Sequence, residues 1–273
     1  MAATDDIAIV ELWPDDAKAA LLLSTEAHWN QTEADWLTFL TNGIVFGVRD
    51  GAQLAATAAL LPYSADNAWI SMVLVTASWR RRGIATRLVD ACLDAARKRG
   101  LTTWLDATPA GAAVYGPLGF TPTIELRRLR LASSGPGAGA SLETASIDDF
   151  IARDCRTIGF ERRKLLRTFH ARPGSRLVSD DGAAALVRDG RTARQIGPVF
   201  ADDAAGALGL VNAIAKSEGG PLIIDAVHSQ TDFVNGLTTA GWTIERPFQR
   251  MRCGRPTTQT ADLPFAVAGP EFG

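Results

Sequence analysis

Apolar and polar positions alternate over residues 7–13, which predicts a first strand. Pro14-Asp15-Asp16 then opens a helix to about residue 24, with proline and acids where a helix start favours them. His28-Trp29-Asn30-Gln31 interrupts the pattern, and Thr32 with Asp35 three residues on has the spacing of a capping box for a second helix to about residue 40. Trp29 and Trp36 are seven apart and would share a face if they shared a helix. Apolar runs at 44–49 and 53–61 flank Asp50-Gly51, a dipeptide suited to a tight hairpin turn. A strand is predicted over 69–75. A helix over 83–99 follows, with Leu88, Cys92, Ala95 and Ala96 on roughly one face, and Gly100 ends it. A short strand at 102–106, a short helix at 111–118 and a strand at 120–131 complete the first half.

The run Ala132-Ser133-Ser134-Gly135-Pro136-Gly137-Ala138-Gly139-Ala140 reads as a linker, 132–140. It formally fits Gly-x-Gly-x-x-Ala, but it does not sit in a strand–turn–helix unit, so a dinucleotide site is set aside. Beyond it the plan of the first half recurs. Helices are predicted at 147–156 and 162–169, and strands at 175–179, 183–187 and 193–200. A helix at 201–217, a strand at 221–226, a helix at 232–240 and a strand at 242–251 follow. This divides the chain into a first domain over 1–131, a second over 141–257 and a tail over 258–273, in which 263–267 could add an edge strand.

One stretch carries candidate chemistry. The apolar run Val73-Leu74-Val75 gives way to a polar turn with Arg80, Arg81, Arg82 and Gly83, and then to Ile84-Ala85-Thr86 at the start of an amphipathic helix. A helix start leaves its first amides without partners, and the helix dipole places positive charge there. Small residues at 83 and 85 let a ligand approach the backbone, so the stretch reads as an anion site, most simply for phosphate. It is not a Walker loop, since Gly-x4-Gly-Lys-Ser/Thr is absent.

Arg80, Gly83 and Ala85 fill the Arg/Gln-x-x-Gly-x-Gly/Ala pattern, with a strand before and a long helix after, and Tyr115 to Phe120 reads Tyr-Gly-x-Leu-Gly-Phe. With these features residues 5–131 resemble the GNAT (GCN5-related) N-acetyltransferases. The whole chain is similar to tandem-GNAT proteins: an α/β fold with a mixed sheet in each of two GNAT-like domains, the second degenerate. In the second half the place of the loop is taken by Gly197-Pro198-Val199-Phe200-Ala201-Asp202-Asp203, which puts two acids where phosphates would bind. Gly241-Trp242 stands in the place of Gly119-Phe120.

The resemblance implies acetyl-CoA as co-substrate. Its pantetheine would pair with the backbone of Val73, Leu74 and Val75, and its diphosphate would rest on amides of residues 81–86. The reaction implied is direct acyl transfer to an amine, with a strand amide near Leu74 steadying the oxyanion. Tyr115 stands where the family places its general acid; the alternative is that the ring only packs. The strand 69–73 lacks the carboxylate that many relatives carry, so the base is open. Asp106 is one candidate, acting through water, or else it caps the turn at Thr108-Pro109. His28 is a second, or else a solvated loop residue. His28, Trp29 and Gln31 would line the acceptor side, and Trp36 reads as core. The alternation Arg127-Arg128-x-Arg130 reads as a solvated edge strand.

Composition narrows the partners. The chain has 273 residues, 47% hydrophobic and 21% charged, and net charge −2. That argues against nucleic-acid and membrane-surface binding. The start lacks a secretory signal, no apolar run approaches about 20 residues, and Cys92, Cys155 and Cys253 are odd in number and far apart. The expectation is a cytoplasmic protein with reduced thiols, no metal site and the capacity to dimerise. Its predicted function is an N-acetyltransferase for a small-molecule amine. The alternatives are a non-catalytic acyl-CoA-binding module, in which the second half contacts a partner, and a protein N-acetyltransferase.

Overall fold

The computed structural model describes residues 7–64, 66–134, 142–255 and 262–273. The start (1–6), the Gly/Pro-rich part of the expected linker (135–140) and residues 258–261 of the expected tail lie outside the described residues.

Two compact units emerge, residues 1–105 and 106–273. In the first, strand β1 (Val10–Leu12) is followed by a 3-10 turn (Pro14–Asp16) and helix α1 (Ala17–Glu26), then α2 (Glu33–Asn42). The capping box forms: the Asp35 amide donates to Thr32 Oγ1 at 3.3 Å, and the Thr32 amide to Asp35 Oδ2 at 2.8 Å. The hairpin β2 (Ile44–Asp50) and β3 (Gln53–Pro62) turns at residues 51–52, and β4 (Asn67–Val75) extends the sheet antiparallel to β3. Helix α3 (Ile84–Lys98) packs on β3 and β4 through buried Ile84, Leu88, Val89, Cys92, Leu93 and Ala96, a stripe at helical spacing. Strand β5 (Thr102–Ala107) runs parallel to β4, paired at Asn67–Thr102, Ala68–Thr103 and Trp69–Trp104. The two tryptophans stack at 6.4 Å, and the Trp104 indole N–H donates to Asn67 Oδ1 at 2.7 Å.

The second unit begins at the end of β5 and continues with α4 (Pro109–Tyr115), a 3-10 turn (Gly116–Leu118) and β6 (Thr121–Ser134). Then come β7 (Glu143–Thr144), α5 (Ile147–Ile158), α6 (Arg163–His170), β8 (Arg176–Asp180), β9 (Ala183–Arg188) and β10 (Arg194–Phe200). Helix α7 (Ala204–Ser217), β11 (Gly220–Val227), α8 (Thr231–Thr239) and β12 (Thr243–Cys253) follow. The strand order is β12-β6-β11-β10-β9-β8-β7, with β10 and β11 parallel and the other described pairs antiparallel. The two-residue strand β7 carries no sequence signal, being too short for a period to register.

Two expectations change here. The compact units divide at 105/106, and within the second β6 is claimed by β11 on one side and β12 on the other, from Leu126 and Arg127 out to Arg130 and beyond. Ala132, Ser133 and Ser134 are the end of that strand, not linker. For the same reason the Arg127-Arg128-x-Arg130 run is not a solvated edge. Arg128 is buried and makes a two-pronged ion pair with Asp225 at 2.8 Å, and Gln195 Nε2 donates to the same carboxylate at 2.9 Å.

Candidate functional site

The end of β4 departs from regular strand geometry. Register with β3 slips between Thr57–Leu74 and Ala59–Ser71, so Ala58 faces both Met72 and Val73, a β-bulge. Met72 takes φ +52°, a conformation that costs a β-region side chain roughly 1–3 kcal/mol. It is held there by burial and by Thr57 Oγ1, which donates to the Met72 carbonyl at 2.8 Å. Within the first unit β4 and β5 pair no further than Trp69 and Trp104. Val73, Leu74 and Val75 thus run on as a strand edge. Nothing in the side chains around Ser71 and Met72 announced the bulge; it is a register event, decided by pairing.

Beyond Val75 the chain makes a 3-10 turn (Ala77–Trp79) and enters α3 through Gly83, whose φ of +71° is the left-handed region that glycine adopts freely. A Cβ on Gly83 would meet no atom within 4 Å, so the position is open towards any ligand. The first helical bond runs from the Arg87 amide to the Gly83 carbonyl at 3.1 Å, and no side chain caps the helix. The amides of Ile84, Ala85 and Thr86 therefore face out of the helix mouth unclaimed by α3. The Ile84 side chain is buried in the core, so its contribution to a ligand is its amide.

The three arginines are not equivalent. Arg80 Nε donates to the Val75 carbonyl at 3.0 Å, and its guanidinium lies 4.0 Å from Glu26. Arg82 donates to the Ser78 carbonyl at 2.9 Å and lies over the Trp79 ring at 5.0 Å. Arg81 is exposed, with φ +61°. Glu26 is a residue the sequence pattern did not single out. From the end of α1 it accepts from Thr76 Oγ1 at 2.7 Å and the Ala77 amide at 2.8 Å, tying α1 to the turn. Those two bonds, with Arg80 nearby, hold its carboxyl below the ordinary glutamate range.

The loop between α1 and α2 holds the expected acceptor residues. His28 is exposed with φ +58°, and Trp29 is half-buried. Trp29 lies outside both helices and so shares no helix face with Trp36. Trp36 is fully buried, and its indole N–H donates to Ser24 Oγ at 3.0 Å, a core role. Gln31 is 4% exposed and its Oε1 has no partner among the described residues; Ser71 Oγ is likewise buried and unpartnered.

In the second unit, Tyr115 ends α4 half-buried, with its ring 5.9 Å from that of Phe120. Asp106 does not cap the turn after β5. Its side chain is fully buried and accepts two hydrogen bonds from Arg250 of β12, both 2.8 Å, while the turn is capped by Thr108, which accepts from the Gly111 amide at 3.3 Å. Burial raises the Asp106 carboxyl and the Arg250 charge opposes it. The carboxylate is shut from water and forked by a guanidinium, which argues against the expected base at Asp106. Arg250 lies 144 residues away in the chain, which hid the pair from sequence reasoning.

The counterpart of the α3 mouth in the second unit is capped and acidic rather than bare. Asp203 caps α7 by accepting from the Gly206 amide at 2.8 Å, and Asp202 pairs with Arg153 at 2.9 Å. The protein's own carboxylate sits where an external anion would have to bind.

A mixed sheet whose parallel pair parts beside a bulge, followed by an uncapped helix mouth, defines the class of acyl-CoA-type N-acyltransferase folds. Residues 8–120 match the Acetyltransferase (GNAT) family, and residues 151–265 match the Acetyltransferase (GNAT) domain. Between them these take in most of the chain, which belongs to the GNAT acetyltransferases as a tandem protein and is a transferase. Solved structures agree in fold. A candidate acetyltransferase of Pyrococcus horikoshii is 19% identical with TM-score 0.80, covering 97% of this chain and 95% of its own. A GCN5-related N-acetyltransferase of Sphaerobacter thermophilus is 15% identical with TM-score 0.68, covering 94% and 99%. A tandem GNAT protein from the clavulanic acid biosynthesis pathway is 17% identical with TM-score 0.63, covering 93% and 100%. No protein of curated function matches the sequence.

Proposed function

We propose that the protein transfers an acetyl group from acetyl-CoA to the amine of a small molecule, directly and without a covalent enzyme intermediate. The observation that carries this reading is the α3 mouth: glycine in the left-handed region and, among the described residues, no capping side chain and no partner for the amides of Ile84, Ala85 and Thr86. The diphosphate rests there. The thioester arm extends along Val73, Leu74 and Val75 past the bulge.

The neutral amine attacks the thioester carbonyl; the C–N bond forms and the C–S bond breaks. A strand amide near Leu74 steadies the oxyanion. Tyr115 gives its proton to the departing thiolate, and the proton shed by the adduct's nitrogen restores the phenol, so a neutral amide and a thiol are released. With Asp106 committed to Arg250 and no carboxylate over residues 69–75, no side chain is assigned as base, and the amine enters as its free-base fraction. His28, Trp29 and Gln31 line the acceptor side, where the orphan Oε1 of Gln31 is a hydrogen-bond acceptor suited to an amine N–H.

Gly83→Glu tests the reading. A Cβ at this exposed position meets no atom within 4 Å, so the side chain starts into open space. It adds a carboxylate at the diphosphate seat and the cost of a left-handed side chain, about 1–2 kcal/mol. Acetyl-CoA binding by calorimetry is expected to vanish while circular dichroism is unchanged. Binding that survives overturns the assignment of the loop.

A further inference from the structure

The parallel pair β10–β11 parts as β4–β5 does, after three paired positions ending at Ile196–Ile224. In the second unit this gap is not empty. The chain returns after β12, and residues 265–268 run between the two strands. The Phe265 amide donates to the Val199 carbonyl at 2.9 Å and the Val199 amide to the Ala266 carbonyl at 3.0 Å. On the other side the Val227 amide donates to the Phe265 carbonyl and the Val267 amide to the Asp225 carbonyl, both 3.0 Å. One short segment thus satisfies both lips of the gap, bridging Val199 and Ala226 through Ala266.

The segment is locked rather than laid on. Phe265, Ala266, Val267, Ala268 and Phe272 are buried. Phe265 meets the Phe233 ring edge-on at 5.4 Å, and Phe272 meets Phe169 at 4.8 Å. Arg188, 2% exposed on β9, donates to the Ala268 carbonyl at 2.8 Å and pairs with Glu271 at 3.3 Å. Arg162, itself forked by Asp154, donates to the Phe272 carbonyl at 3.0 Å. At Gly197, φ +149°, the Val267 carbonyl comes within 2.1 Å of where a Cβ would stand. Glycine is required because the inserted segment passes that close.

We infer that residues 265–268 are the built-in occupant of the second unit's cofactor slot, standing in for the thioester arm of an acyl-CoA, so that each chain carries a single acyl-CoA site, at the α3 mouth. This rests on the reading of the matching β4 edge as the seat of that arm. Every backbone group a strand-like ligand would pair with at Val199, Asp225 and Val227 is already taken. The mouth beyond it opens on a cavity lined by Asp202 and Asp203, whose carboxylates disfavour a diphosphate there.

Hydrogen exchange of the full chain with and without acetyl-CoA, together with native mass spectrometry, tests this. Peptides over 263–268 are expected to exchange as slowly as β11, unchanged by acetyl-CoA, with no more than one acetyl-CoA bound per chain. Fast exchange there, exchange that rises on adding acetyl-CoA, or a second bound acetyl-CoA overturns the inference. Slow, ligand-insensitive exchange in a chain that binds no acetyl-CoA would sink the proposed function and leave the built-in occupant standing. Gly197→Ala is expected to raise exchange over 263–268 at least tenfold with β9 protected; unaltered exchange refutes the close passage. If that variant does not fold, the wild-type measurements decide alone.

Discussion

Replacing Asp106 by asparagine separates a structural carboxylate from a catalytic one. The change keeps shape and one acceptor oxygen but removes a charge paired with Arg250, whose side chain is 9% exposed and whose Nε and Nη2 both donate to Asp106 at 2.8 Å. Stranding a buried partner of such a pair costs about 3–5 kcal/mol. For a unit of this size each kcal/mol moves the melting temperature by about 2–4 °C, so a fall of about 6–20 °C is expected. The assays are thermal melting, guanidinium denaturation and steady-state kinetics at a temperature where the variant is folded. Turnover per folded molecule should stay within about threefold, since no proton passes through this group. The double variant Asp106→Asn with Arg250→Met should regain much of the loss, because no charge is then left buried. An unchanged melting temperature with a hundredfold loss of kcat would refute the structural reading and restore Asp106 as the base.

Four further outcomes follow. Gly83→Glu abolishes acetyl-CoA binding by calorimetry with the fold intact. Tyr115→Phe lowers kcat by something of order 10²-fold with the KM for acetyl-CoA nearly constant; an unaltered kcat assigns the ring to packing on Phe120 alone. Glu26→Gln weakens acetyl-CoA binding about three- to tenfold, since the hydrogen bonds to Thr76 and Ala77 lose their ionic partner in a partly exposed setting. Because the carboxyl is held below its ordinary range, the clamp persists above that range and is lost as pH falls through the lowered value. The ratio of wild-type to variant affinity should therefore be flat from about pH 8 to about pH 5 and close only in stronger acid. Thr32→Ala removes the cap of α2 and should cost about 1 kcal/mol in denaturant titration; a loss below about 0.3 kcal/mol would mean that Asp35 holds the turn unaided.

Local chemistry was legible along the chain. Thr32 and Asp35, Asp50-Gly51, the α3 stripe and Gly83 each act within a few residues, so propensity, period and capping geometry specify them before any tertiary contact forms. The loop that seats an anion belongs to this group, because a helix mouth is made by its own first turn. What tertiary structure alone decided depends on partners distant in sequence. The Met72 bulge arises from register with β3, and the clamp on Thr76 and Ala77 reaches back to Glu26. Asp106 was bound to Arg250 across 144 positions, and β6 was drawn between β11 and β12. The segment at 265–268 showed in sequence only as a short apolar run suited to an edge. Its place inside the sheet follows from a gap that exists only once β10 and β11 have paired and parted, and no periodicity in its own residues can record that.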